Sequence, residues 1–310
     1  MFNNLRSKAM ATQPLRSVKT RQHPSHTAHV AHIAPLSAVE QRLFTIGTCL
    51  LALAFVGALF GSDIAQLLHL QLNAHGHTHV YAHGHPFVDA RVLWGIPNAL
   101  DVLSNLPFVG MGAWGLYALH RAPGVASATR QAATVFFVGL LLTCLSSSFY
   151  HWGPDAWGLA VDRAGMAVAF AGVLGLAAAE RVSQRAAPWV WGSVLAVGMF
   201  AIMVNFAAGV VGPWAVVQFG GMAVVLWAAM QRAQSGASDG SLGIRWTVLI
   251  AIYAVAKLLE LGDEAVFHAS QELISGHSLK HVAASLAALP VIRALRHNAK
   301  QGDAAAANHA

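Results

Sequence analysis

The chain has 310 residues, of which 56% are hydrophobic and only 10% charged, with a mean hydropathy of +0.53. A water-soluble domain carries about 25% charged residues, so this composition excludes the ordinary soluble classes and places the chain in a bilayer. The formal net charge is +6, but Lys and Arg are scattered between apolar runs, which argues against a nucleic-acid partner.

Residues 1–40 mix Arg, Lys, His, Pro, Ser and Thr without an apolar period and read as a disordered basic tail. An apolar run over 43–61 predicts a first spanning helix, since about 20 residues of helix cross the hydrocarbon core. A long histidine-bearing loop over 63–95 follows, with His69, His75, His77, His79, His83 and His85 in a pattern suited to loose binding of extra metal ions. Seven more spans are expected at 98–120, 131–151, 159–180, 188–208, 213–230, 244–267 and 277–296. The expected organisation is thus a tail (1–40), an additional N-terminal helix (41–62), the His-rich loop (63–95), a seven-helix core (96–297) and a disordered C-terminal tail (298–310). The fold class is all-α and polytopic. Cys49 and Cys144 both lie inside apolar runs, so neither a disulfide framework nor a thiolate metal site is expected.

Loop charge predicts orientation, because cytoplasmic loops hold the excess of Lys and Arg. Eight spans with both termini inside put fifteen basic residues on the cytoplasmic side and only Arg91, Arg163 and Lys280 opposite, with Lys257 inside a span. This arrangement suggests a multi-pass protein of a bacterial inner membrane, as the N-terminus carries no organelle-targeting pattern.

Ionisable side chains within spans cost several kcal/mol unless they are paired or face a cavity, so they are functional candidates. Here they gather at the outer ends of the helices: His151 on the third span, Asp162 on the fourth, Lys257, Glu260, Asp263 and Glu264 on the seventh, and His277 and His281 on the eighth. Residues four apart share a helix face, so His277 and His281 can hold one ion, and Ser147 and His151 aim a hydroxyl and an imidazole into one volume. Three imidazoles leave a fourth tetrahedral position for water, the arrangement of catalytic zinc. His120, a single histidine at a helix end, reads as an interfacial residue.

The ordered set S-x-x-x-H (Ser147 to His151), Asp162 eleven residues on, and H-x-x-x-H (His277 to His281) resembles the alkaline ceramidases. These belong to a superfamily of seven-span membrane hydrolases that includes the progestin and adiponectin receptor-like proteins. Asp101, Ser104 and Asn105 also resemble the family's N-x-x-S-N pattern, with Asp101 where the family has Asn. The resemblance covers residues 86–296 and implies zinc on His151, His277 and His281, with Ser147 and Asp162 beside the attacking water. Asp101, Ser104, Asn105, Lys257, Glu260 and Asp263 would surround that centre. Eukaryotic members carry an acidic calcium cluster before the first core helix; this chain offers Asp89, Asn98 and histidines there, so calcium is not carried over.

The expected function is zinc-dependent hydrolysis of the N-acyl amide of a ceramide-like lipid, taken from the bilayer, to a fatty acid and a sphingoid base. Two alternatives differ in class. The His-rich tract would suit a metal transporter, although polar residues would then follow a path through the midplane. A receptor-like relative would keep the metal without turnover. H-E-x-x-H is absent, so the sequence gives no metalloprotease signature to support an intramembrane protease.

Overall fold

A computed structural model describes residues 35–67, 86–232 and 241–307, all in the unit that begins at Leu36 apart from Pro35. The His-rich tract 69–85 and the N-terminal segment 1–34 lie outside the described residues. Among the described residues every regular element is helical, with one isolated bridge between Leu93 and Ile96. This follows from composition: a helix satisfies its backbone internally, which a lipid-exposed segment must do.

Among the described residues, seven helical stretches are long and apolar enough to cross a membrane: Ala38–Ile64, Ala99–His120, Ser127–Trp152, Ala156–Arg181, Ala186–Ala208, Gly212–Met230 and Gly276–Gln301. The first lies within α1 (Ala38–Leu67). The second is α2 (Ala99–Leu103) followed by α3 (Leu106–His120), and the next three are α4 (Ser127–Trp152), α5 (Ala156–Arg181) and α6 (Ala186–Ala208). The sixth begins as α7 (Gly212–Ala215), passes through a π-helical turn at Val216–Gly220, and continues as α8 (Gly221–Met230). The seventh comprises α11 (Gly276–Ser285), a tight turn and α12 (Leu289–Ala307). The expected span at 244–267 is instead two helices, α9 (Trp246–Leu261) and α10 (Asp263–Ala269), because Gly262 interrupts it. At 16 residues, α9 is about 24 Å long.

Three expected boundaries move. The first helix starts before residue 41 because Ser37 and Glu40 form a capping box: the Ser37 amide donates to Glu40 Oε2 (2.7 Å) and the Glu40 amide to Ser37 Oγ (3.3 Å). It also runs on through residues 63–67, taking these from the expected loop. At the other end, α12 continues to Ala307 through an alanine-rich stretch, so the segment 298–307 is helical.

The core is centred on the pairing of α4 with α5, where small residues bring the backbones together. A Cβ on Gly139 would collide with the backbone of Ala169, and one on Gly172 with that of Phe136. Two buried carboxylates tie the ends of this pair to other elements. Glu180 accepts from the Ile244 amide (2.8 Å) and Trp246 Nε1 (2.9 Å), fixing the start of α9. Glu40 accepts from Arg185 Nε and Nη2, both at 2.7 Å, and from Ser183 Oγ at 2.6 Å, joining α1 to the α5–α6 turn.

Candidate metal centre

The buried residues of α4 include Leu140, Thr143, Ser147 and His151, a helical face turned to the interior and ending at an imidazole. Asp155 then caps α5 by accepting from the Gly158 amide, and α5 carries Asp162 back down beside α4. On the opposite side, Ser275 caps α11 by accepting from the Ser278 amide (3.0 Å). His277, His281 and Ser285 follow at intervals of four and share the buried face of α11. Gly276 lets α11 start close to its neighbours, since a Cβ there would strike the Leu259 carbonyl oxygen.

These helices bring His151, His277 and His281 together, exposed by only 1%, 1% and 4%. One ligand nitrogen from each lies within 4.8 Å of the others, and His151 Nε2 is 3.2 Å from His277 Nε2. An ion bound tetrahedrally to imidazole at about 2.1 Å needs its ligand atoms about 3.4 Å apart. The 3.2 Å pair is close to this, and the third nitrogen lies within 4.8 Å of both. The donor set therefore fits a metal ion. Phe87 covers the group, its ring centroid 3.4 Å from that of His277 and 5.3 Å from that of His151.

The surrounding residues orient the ligands. Ser104 Oγ is 2.8 Å from His281 Nδ1 and donates to the Asp101 carbonyl (3.2 Å). A His281 that ligates through Nε2 thus gives its Nδ1 proton to a hydroxyl already fixed in place. Ser104 reaches this position because the helix breaks between α2 and α3, next to Pro107, which cannot donate a backbone hydrogen bond. Ser104→Ala is expected to weaken metal binding by about 10- to 100-fold, measured by competition with a chelator of known affinity; unchanged affinity would deny the hydroxyl this role.

Asp101 is fully buried, its Oδ1 accepting from Ser278 Oγ at 2.6 Å, and Asn105 Nδ2 donates to the Asp101 carbonyl at 2.8 Å. Asp101 thus ties α2 to α11, and Asn105 closes the end of α2. Asp263 acts on main chain: Oδ1 accepts from the His277 amide (2.7 Å) and Oδ2 from the Val88 amide (3.0 Å). It thereby fastens the segment bearing Phe87 to the helix bearing His277. Asn98 Nδ2 donates to the His151 carbonyl at 2.8 Å.

Ser147 and Asp162 line one cavity with His281. Asp162 Oδ1 is buried and has no hydrogen-bond partner among the described residues. Its neighbour Arg163 faces elsewhere, donating to Asn205 Oδ1 and lying over Trp214. Lys257 and Lys280 both pair with Glu260, Lys280 at 3.2 Å, and Lys280 Nζ is 3.3 Å from His277 Nε2. The cavity, counted together with the open space at its mouth, leaves about 910 Å³ unfilled by atoms. Its polar end holds Ser147, Asp162, His281 and these paired charges, and its far end is lined by Phe136, Leu140, Val173 and Leu249.

Several residues here carry no local sequence signal. Phe87 precedes the first core helix with no periodicity to mark it, and Lys280 resembles any interfacial lysine until Glu260 is placed opposite. Ser275 and Ser278 are visible only as a helix cap. No family model, curated protein or solved structure matches the chain.

Proposed function

We propose that the chain is a zinc-dependent membrane amidohydrolase that cleaves the N-acyl amide of a ceramide-like lipid into a fatty acid and a free amine. The observation carrying this reading is a cluster of three buried histidines, one of which, His281, lines the polar head of a cavity whose other end is apolar. That shape takes a chain of hydrocarbon and leaves an amide at the metal-binding end. The apolar far end also favours a hydrolase over a transporter, which needs a polar route onward.

Zinc on His151, His277 and His281 supplies Lewis-acid polarisation of a carbonyl and lowers the pKa of water at its open position. Asp162, with one oxygen free of protein partners, takes the proton of the attacking water and returns it to the amide nitrogen. The new C–O bond then replaces the C–N bond, and the amine leaves with that proton. Ser147 lines the cavity with Asp162 and stands beside the oxygen that gathers negative charge. Phe87 and the apolar wall exclude bulk water, which strengthens each of these interactions. The distribution of Lys and Arg supports cytoplasmic termini and a site toward the outer face.

The test is release of fatty acid and amine from a panel of N-acyl lipids by purified protein, stripped with a chelator and reloaded with zinc. Turnover should vanish on stripping and return with zinc. A zinc-loaded protein that cleaves no member of the panel sinks the reading.

A further inference from the structure

One wall of the cavity has polar groups where the proposed chemistry does not use them. Along α9 the lining residues are Leu249, Tyr253, Ala256, Lys257 and Glu260, a single helical face that grades from apolar to charged toward the histidines. Tyr253 sits seven residues before Glu260, roughly 10 Å further from the histidine end along the helix axis. Its hydroxyl is buried and has no hydrogen-bond partner among the described residues. The ring is held edge-on against Phe170, centroids 5.9 Å apart at 86°.

Gln218 lines the same cavity from the π-helical turn Val216–Gly220. Such turns inside a helix recur at functional sites because the extra residue re-aims a side chain. Two contacts put this turn level with Tyr253. Phe170 meets Tyr253 edge-on and also borders Gly221, directly after the turn. Lys257, one helical turn beyond Tyr253, lies over Phe219 at 5.8 Å.

A buried hydroxyl without a partner is uncommon in a protein, and a cavity-lining amide beside it offers both a donor and an acceptor. The group that answers this pair is neutral and hydrogen-bonding. An anion is less suited, since the nearest ammonium, that of Lys257, is already held by Glu260. We propose that Tyr253 and Gln218 bind a hydroxyl carried part-way along the lipid chain, so that the enzyme selects N-acyl lipids with a hydroxylated chain over plain saturated ones. This deepens the amidohydrolase reading and rests on it for the lipid's place in the cavity.

The experiment measures equilibrium binding of stearic acid and of 10-hydroxystearic acid to zinc-loaded, full-length protein in micelles, alongside the N-acyl lipid turnover assay. The wild type should bind the hydroxy acid about threefold to tenfold more tightly, the effect of one or two neutral hydrogen bonds. In Tyr253→Phe with Gln218→Met, which removes the polar atoms and keeps the volume, that affinity ratio should fall to about one. Equal affinities in the wild type, an undiminished ratio in the double variant, or binding of neither acid would each overturn the proposal. Hydroxy preference without cleavage of any N-acyl lipid would instead sink the hydrolase reading alone. Cleavage without preference would sink this inference alone.

Discussion

Replacing His281 with alanine should leave the purified protein with less than about a tenth of the zinc bound by the wild type, which as a single three-histidine site holds about one ion per chain. His281 is buried, supplies one of the three clustered ligand atoms, and is the ligand held by Ser104. The two remaining imidazoles sit on different helices, α4 and α11, and no longer define a tripod. Elemental analysis is best done with the histidines of 69–85 replaced by serine, so that loosely held metal does not mask the loss. His120→Ala, at an exposed position ending α3, serves as the control and should keep its zinc. Equal zinc in His281→Ala and in the wild type would remove the metal centre and the hydrolase with it.

Asp162→Asn should lower turnover of a cleavable N-acyl lipid by about 10²- to 10⁴-fold, the usual contribution of a positioned general base, while zinc content stays at the wild-type level. The asparagine keeps the shape but cannot accept a proton. Separate readouts of metal and rate distinguish this from a disturbed ligand set. A rate within threefold of the wild type would return Asp162 to a packing role and leave the proton to another group.

The parts legible in sequence are those written at helical spacing. His277 and His281 are four apart, as are Ser147 and His151, and both pairs lie on buried faces. Asp101, Ser104 and Asn105 were visible as a cluster, but not the way they act: Ser104 reaches a histidine because the helix breaks there, while Asp101 and Asn105 bind serine and main chain. Asp263 was legible as a carboxylate near the site and not as a staple between Val88 and His277, since its two partners are far apart in the chain. Tyr253 and Gln218 had no signal at all, because a tyrosine and a glutamine in apolar spans acquire meaning only when a cavity passes between them. The start of α1 could have been placed from Ser37 and Glu40 alone, a capping pattern outweighed by the polar composition before it.

The first helix has a consequence for how the protein is made. Only 6% of its apolar window is buried, and its contacts are with late-arriving parts: Glu40 with Arg185, Phe55 stacked on Phe200, and Gly57 against the backbone of Gly212. All three partners are synthesised more than a hundred residues after it. Three other apolar helices separate it in the chain from these partners, so it meets lipid before they are made. Its window hydropathy of 2.3 lets it do so. The core packs around α4 and α5, and this helix can dock only once α6 and α7 have followed it.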